Sequence, residues 1–300
     1  MDGMSLQSRG RAKRRLRVNL LAEGASILAA LIAVGFLAVL VGSVLVRAFD
    51  SLDWNFFTKG PAVFGQTGGG IAPALVGTLL LVLIATAMAL PVGVLIALYV
   101  SEFAPRRFAN QIKLWLDVLN GFPSIVIGIF VFALAVKTNV PVIGIGHHQS
   151  VFAGSFALVI IMLPLVSRTT MEVLALVPNS LREASYALGV SKWRTVVSVI
   201  LPTAIGGIVT GTTLAVARAA GETAPLLFTC ALAGQVVNWN PSLSTASIPV
   251  TIFEYSESPD RNLNSQAWAA AFVLIAFVLV TSLISRLLLE RSRRKLGQAG

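Results

Sequence analysis

Long apolar runs alternate with short charged segments along the whole chain. A helix needs about 20 apolar residues to cross the hydrocarbon core of a bilayer. Six runs approach or exceed that length, at positions 27–46, 72–100, 118–136, 151–167, 203–233 and 267–285. We therefore predict an all-α polytopic membrane protein with six transmembrane helices. Positions 1–22 form a basic N-terminal segment, 23–289 a single transmembrane domain, and 290–300 a basic C-terminal tail.

The composition agrees with lipid as the solvent for most of the chain. Hydrophobic residues make up 56% and charged residues only 12% of the 300 positions, whereas a soluble domain carries about 25% charged residues. The mean hydropathy is +0.82. The net charge of +10 does not indicate nucleic-acid binding, because the basic residues form no stripe with interleaved aromatic residues.

The distribution of lysine and arginine predicts the orientation of the helices. Basic residues concentrate in the cytoplasmic connections of membrane proteins. Eighteen of the 23 lysines and arginines lie before the first run, between the second and third, between the fourth and fifth, or after the sixth. These segments and both termini are therefore expected on the cytoplasmic side of a bacterial cytoplasmic membrane.

Residues with catalytic or metal-binding potential are sparse. His147 and His148 are adjacent in an outer loop and lack the i, i+4 spacing and the carboxylate of a zinc site. The glycine-rich segment 65–70 is followed by Ile71 rather than by lysine, so it is interpreted as a flexible lead-in to the second run. Cys230 is expected to be a small buried residue. We expect no enzyme activity, no metal site and no ATP hydrolysis by this chain alone.

The cytoplasmic connection 178–202 is predicted to form two short helices. Ser180 and Glu183 have the spacing of a capping box at the start of the first helix. Gly189 suits the turn that ends it, and Ser191 is a candidate cap for the second. A compact helix–turn–helix is therefore expected between the fourth and fifth spans.

The same connection resembles the EAA loop of ABC-importer permeases. The family pattern is Glu-Ala-Ala, three residues, Gly, nine residues, Ile, one residue and Leu-Pro. The matching positions here are Glu183, Ala184, Ser185, Gly189, Val199, Leu201 and Pro202. The serine and the valine are mild departures that keep size and shape. The resemblance implies that this loop docks on a separate ATP-binding subunit, with Glu183, Ala184, Gly189, Leu201 and Pro202 as the coupling residues.

Further segments are similar to phosphate-importer permeases of the PstA type. The most specific are 121–128 (GFPSIVIG) and 217–226 (ARAAGETAPL). The resemblance implies the type I importer fold and an assembly with a second related permease, two ATP-binding subunits that bind ATP and magnesium, and an extracytoplasmic phosphate-binding protein. This chain would then form half of the pathway for inorganic phosphate, with no cofactor of its own.

Arg218 and Glu222 are charges inside an apolar run. At i and i+4 they are expected to share a helix face, and pairing reduces the cost of about 3 kcal/mol or more for a lone arginine at the bilayer centre. One interpretation is a pair that only locks helix packing. We favour a role in the substrate pathway, since ionisable residues within membranes usually mark pathways. The planar donor fork of Arg218 suits phosphate oxygens, and Glu222 would hold it while the path is empty.

Other functions share part of this pattern. An importer of the same type for sulfate or molybdate would have the same loop. A carrier or channel driven by an ion gradient would not need the loop 183–202 and would transport without nucleotide. A membrane scaffold without transport activity would leave Arg218 unexplained.

Overall fold

The computed structural model describes residues 11–62, 65–134, 149–230 and 236–297, and these ranges are almost entirely helical. His147 and His148 lie outside the described residues. The helices are α1 (Arg11–Ala48), α2 (Trp54–Thr58), α3 (Ala72–Leu98), α4 (Arg106–Gly121), α5 (Ser124–Phe132), α6 (Val151–Ala175), α7 (Asn179–Ala187), α8 (Lys192–Thr195), α9 (Leu201–Ala220), α10 (Ala224–Thr229), α11 (Ile248–Ser256) and α12 (Arg261–Gly297). Single π-helical turns follow α3 at Tyr99–Phe103 and join α8 to α9 at Val196–Ile200.

Five of the six predicted spans each contain a continuous helical segment that is long enough to cross a membrane. In the described residues, those long and apolar enough to cross a membrane are Arg14–Ser51, Ala72–Phe103, Val151–Ala175, Lys192–Ala220 and Arg261–Leu287. The fourth span was predicted as 151–167, but α6 continues to Ala175. The charged residues of its last turns are compatible with a helix that leaves the membrane on the cytoplasmic side.

The third predicted span, 118–136, is not one straight helix. α4 and α5 meet at an angle of 94°, because Phe122 and Pro123 adopt extended backbone between them and proline disfavours helical backbone in the residue before it. Asp117 of α4 forms an ion pair with Arg168 near the cytoplasmic end of α6. α4 therefore lies across that end of the bundle, while α5 runs along α6.

The core is built on two parallel helices, α3 and α6. Leu81 packs against Gly154, and the Ser155 hydroxyl donates a hydrogen bond of 3.2 Å to the Leu81 carbonyl. Further along, Gly93 lies against Val166, where a Cβ would collide. The small residues bring the backbones close, which is the usual basis of helix packing in membranes.

Residues 236–247, which precede α11, lie over the outer ends of this pair. The N–H groups of Val151 and Phe152 donate to the carbonyls of Leu243 and Pro241, at 3.0 and 3.1 Å. The Ile248 N–H donates to Thr78 Oγ1 at 2.8 Å. These bonds satisfy backbone groups that would otherwise be buried without partners.

The glycine-rich segment 65–70, which leads into α3, is hydrogen-bonded to the start of α12. Asp260 accepts a hydrogen bond of 2.9 Å from the Gly65 N–H. The carbonyl of Gly68 accepts from the side-chain amides of Asn262 and Gln266, at 3.1 and 2.5 Å. Gly65 and Gly68 have φ values of 81° and 89°, which favour glycine. The lead-in predicted as flexible is thus a hydrogen-bonded outer loop.

Candidate functional site

The fifth predicted span, 203–233, is broken. α9 ends at Ala220 and α10 begins at Ala224. Pro225 stands in the first turn of α10, where the missing N–H of proline has no cost. A glycine just past one helix and a proline just inside the next are the signals for a stop and a restart. The prediction of one helix through this region is therefore wrong.

The break lies level with the middle of α6, a helix that is long and apolar enough to cross the membrane. α9 runs antiparallel to α6, and Gly211 of α9 packs against the side chain of Thr169 on α6. Arg218 follows one face further along α9, which places it level with Met162, near the centre of α6 (Val151–Ala175). At 1.5 Å per residue this level is about 17 Å from the outer end of α6.

Arg218 and Glu222 meet across the break. Arg218 Nε lies 3.6 Å from Glu222 Oε1, a distance that gives an ion pair but not a good hydrogen bond. The sequence predicted this ion pair on the ground that the two residues share a helix face. The pair is present, but that ground is wrong, because Glu222 follows the last residue of α9. In the single chain the side chain of Arg218 is 51% exposed and that of Glu222 is 16% exposed.

The geometry leaves the donor fork of Arg218 open. Within the described ranges the guanidinium forms the ion pair to Glu222 and no hydrogen bond to the protein. A cation at this depth is costly unless it faces water, an anion or a second subunit. The arrangement can therefore bind an oxyanion through two parallel N–H donors, with the nearby carboxylate as a competing partner.

The predicted helix–turn–helix is present on the cytoplasmic side, as α7 and α8. α7 ends in a Schellman motif: the Val190 N–H donates to the Ser185 carbonyl at 3.1 Å, and the Gly189 N–H donates to the Tyr186 carbonyl at 2.9 Å. Gly189 has a φ of 75°, as this motif requires. The predicted role of Gly189 as the stop residue is confirmed.

The capping box predicted at Ser180 and Glu183 is wrong. α7 begins at Asn179, so its N-cap residue is Pro178, two positions before Ser180, and no side chain caps the helix. Proline disfavours helix in the residue before it and supplies the φ of a helix start, which moves the boundary. Ser191 stands before α8 as predicted, although its side chain makes no capping bond.

The residues predicted to couple to an ATPase fall into an exposed tip and a half-buried base. Glu183, Ala184 and Gly189 are exposed, and the neighbouring Leu188 is 84% exposed. A polar and apolar mixture of this kind is open to a partner. Leu201 and Pro202 are instead half-buried at the start of α9. They support the loop from within the bundle rather than forming its exposed surface.

Sequence reasoning missed a buried ion pair beneath this loop. Arg182 of α7 donates through Nη2 and Nε to Glu102 Oε1, at 2.8 and 3.3 Å. The same guanidinium donates to the carbonyls of Val177 and Leu174, at 2.7 and 3.1 Å, at the end of α6. The side chains of Arg182 and Glu102 are 17% and 6% exposed. No local signal marks this pair, because the two residues are 80 positions apart.

Ser185 also has a role that the sequence pattern did not indicate. It stands where the family pattern has alanine, and it is buried. Its hydroxyl and that of Thr195 share a hydrogen bond of 2.8 Å, and Thr195 Oγ1 also donates to the Ser191 carbonyl at 3.2 Å. The serine thus connects α7 to α8.

A family model now defines the class of protein. The model of the binding-protein-dependent transport system inner membrane component matches residues 89–295, which include the broken helix and the cytoplasmic loop. The chain belongs to this family and is therefore a protein of the inner membrane.

Proteins with similar sequences show to which group of this family the chain belongs. Phosphate transport system permease protein PstA of Haemophilus influenzae is 37% identical over 276 residues, which cover 92% of this chain and 95% of the relative. PstA of Yersinia pestis is 34% identical, with 97% of each chain covered. PstA 1 of Mycobacterium tuberculosis (strain ATCC 25618 / H37Rv) is 40% identical, with 76% of this chain and 73% of the relative covered. Within its family the chain belongs with the PstA permease proteins.

Solved structures share the fold. A chain of a bacterial alginate ABC transporter aligns with a TM-score of 0.63 at 11% identity, covering 96% of this chain and 98% of that chain. A chain of the MetNI methionine ABC transporter aligns with a TM-score of 0.56 at 18% identity, covering 74% and 94%. These likenesses confirm the predicted type I ABC importer permease fold.

Proposed function

We propose that this chain is the permease subunit of an ATP-driven phosphate importer. The observation that carries the proposal is the half-exposed guanidinium of Arg218, placed by a broken helix near the middle of the membrane. The name of the relatives, phosphate transport system permease protein, supports phosphate as the substrate.

Arg218 is proposed to bind phosphate, and Glu222 to compete with it. Charge-assisted, bidentate hydrogen bonds from arginine suit the spacing of phosphate oxygens. A site that bound phosphate too tightly would not release it. Glu222 lies close enough to recapture the guanidinium, so the ion pair re-forms as the anion leaves.

The proposal requires other subunits. A charged side chain that is half exposed at mid-membrane must be shielded from lipid by another protein surface. We assign that surface to a second related permease, so that each chain forms half of the pathway. Two ATP-binding subunits, which bind ATP and magnesium, would dock on the exposed tip around Glu183, Ala184 and Gly189. An extracytoplasmic phosphate-binding protein would deliver the anion. This chain then carries no cofactor and no catalytic residue.

Reconstitution tests the proposal. The chain is co-purified with its partners, and the attached ATPase is identified. The complex is then placed in proteoliposomes, with the binding protein on the extracytoplasmic face of the complex. We expect uptake of radiolabelled phosphate that depends on ATP and is not reduced by excess sulfate or molybdate. Uptake of sulfate in preference to phosphate, or phosphate uptake without nucleotide, would contradict the proposed function.

A further inference from the structure

We propose that Arg182 and Glu102 are positioning residues that make the cytoplasmic helix α7 move as one body with α3 and α6. This inference rests on the proposed function, because it takes α7 as the element on which an ATPase subunit pushes. The two residues touch neither substrate nor nucleotide in this proposal. They act by joining the helix that receives a push to the helices that form the core.

The first argument is the number of elements that meet at one guanidinium. Arg182 belongs to α7, Glu102 to the π-helical turn after α3, and the carbonyls of Leu174 and Val177 to the end of α6. Leu174 lies in the last turn of α6, where its carbonyl also accepts from the Val177 N–H, and Val177 lies two residues past the helix. An arginine side chain that donates to carbonyls at a helix C-terminus is favourable. A single side chain therefore closes α6 and binds it to both neighbours.

The second argument is burial. The side chain of Glu102 is 6% exposed, and separation from Arg182 would leave a buried carboxylate without its counter-charge, which is strongly unfavourable. The joint is therefore expected to stay closed while the loop is displaced. Above it, α3 and α6 are closely packed, because Gly93 lies against the side chain of Val166 and Gly154 against that of Leu81, so their relative position is also hard to change.

The third argument is the contrast with the other side of α7. Toward α9 the connection runs through a neutral bond between the hydroxyls of Ser185 and Thr195 and then through the π-helical turn Val196–Ile200. Neutral hydrogen bonds are weaker than charge-assisted ones. A displacement of α7 is thus expected to be taken up at the connection to α9, while the joint to α3 and α6 keeps its geometry.

Three variants and one control test the coupling. Glu102→Gln, Arg182→Gln and the double variant are compared with Arg107→Gln, which removes an exposed arginine of α4 on the same side of the membrane. The quantity is the number of ATP molecules hydrolysed per phosphate transported by the assembled complex in proteoliposomes. We expect the control to match the wild type and each single variant to raise the ratio about threefold or more. The double variant should raise it no further than Arg182→Gln does, because the effects of residues in contact are not additive. A lower yield or thermal stability with an unchanged ratio would assign the pair a purely structural role and overturn the proposal.

Distances within the assembled complex give a second readout that does not involve the substrate. Spin labels are placed at Tyr99 and Ala187, and in a second sample at Ala187 and Thr203, after Cys230→Ala removes the buried native cysteine. We expect the first distance to be unchanged between nucleotide-free and ATP-trapped complexes, the second to change, and Glu102→Gln to broaden the first. A wild-type complex in which the first distance changes as much as the second overturns the rigid joint. If the complex transports another anion, the proposed function fails while the distances still decide the joint.

Discussion

At the residue scale, the chemistry of the site follows from where the chain places one guanidinium. Arg218 is near mid-membrane, half exposed, and held by an ion pair of 3.6 Å rather than by a network of hydrogen bonds. A fully satisfied arginine would be a structural lock. A guanidinium with free donors is suited to exchange one anionic partner for another.

Charge removal at Arg218 and Glu222 separates binding from packing. Arg218→Gln should lower phosphate uptake about tenfold or more, because a hydrogen bond to a charged group is worth about 1.5–3 kcal/mol. Arg218→Lys should restore only part of it, since an ammonium lacks the planar fork. Glu222→Gln should be milder, because it leaves the positive charge available. Initial rates of phosphate uptake, measured beside the yield of assembled complex, check this order.

The neutral double variant distinguishes a pathway role from a lock. Arg218→Gln with Glu222→Gln leaves no unpaired charge in the membrane, so the complex should assemble well. It should still fail to transport phosphate if Arg218 binds the anion. Uptake close to that of the wild type in this variant would show that the pair only balances charge.

At the scale of single elements, the shape of the cytoplasmic loop depends on the sharp end of α7. The Schellman motif turns the chain within two residues, and a Cβ at Gly189 would meet no atom within 4 Å. The requirement at this position is therefore the positive φ of 75° alone, and not the available space.

A pair of substitutions at Gly189 tests that requirement. Gly189→Val should abolish uptake and stimulated ATP hydrolysis while membrane insertion is unaffected, because a left-handed conformation costs an ordinary residue roughly 1–2 kcal/mol and β-branching adds to it. Gly189→Asn should keep most of the activity, since asparagine tolerates this conformation. Normal uptake by the valine variant would remove the basis for a docking role of the loop.

The outer loop before α3 is a second element that depends on a few contacts. Hydrogen bonds from the N–H groups of Gly65 and Asn262 hold the pKa of the Asp260 carboxyl below its ordinary value. Because the pKa is lower in the folded state, this stabilisation is complete above the unfolded pKa of about 3.9. It is lost as the pH falls through the folded value. The loop should therefore stay fastened at neutral pH.

Hydrogen exchange of the Gly65 amide measures this fastening. At pH 7, Asp260→Ala should exchange faster than the wild type, and Asp260→Asn should be intermediate because one oxygen acceptor remains. The wild type, corrected for the intrinsic pH dependence of exchange, should approach the asparagine variant only in strong acid. Equal protection in the wild type and the alanine variant at pH 7 would contradict the assigned contact.

At the scale of the whole molecule, the described helices leave the side chain of Arg218 half exposed. The described chain supplies the core pair α3 and α6, the broken α9–α10 segment, and the loop on the cytoplasmic side. One such chain forms one side of a pathway and does not enclose it. A paired assembly is consistent with this shape.

The orientation of the whole molecule has a direct test. A reporter fused after Arg106 should be cytoplasmic, because this position precedes the basic start of α4. A reporter inserted near His147 should be extracytoplasmic if α4 and α5 together carry the chain across. Alkaline phosphatase and fluorescent-protein fusions give opposite signals on the two sides. The same signal at both positions would show that the bent pair re-enters without crossing.

The sequence predicts the structure best where the physical cause of a feature is local. Apolar length placed five spans, since a helix in lipid must satisfy its own backbone and present apolar side chains over about 20 residues. The end of α7 at Gly189 was equally accessible, because a positive φ is a property of one residue. The family resemblance at 217–226 singled out Arg218 and Glu222, and the structure confirms that they pair.

Other features depend on groups that are distant in the chain. The bend between α4 and α5 and the break after Ala220 interrupt apolar runs whose composition is that of a straight helix, and packing against α6 decides where each half lies. The depth of Arg218 follows from the antiparallel register of α9 on α6. The joint between Arg182 and Glu102 spans 80 positions. Pairings of this kind leave no periodic mark in a sequence, because they arise only when separate helices are brought to the same end of the bundle.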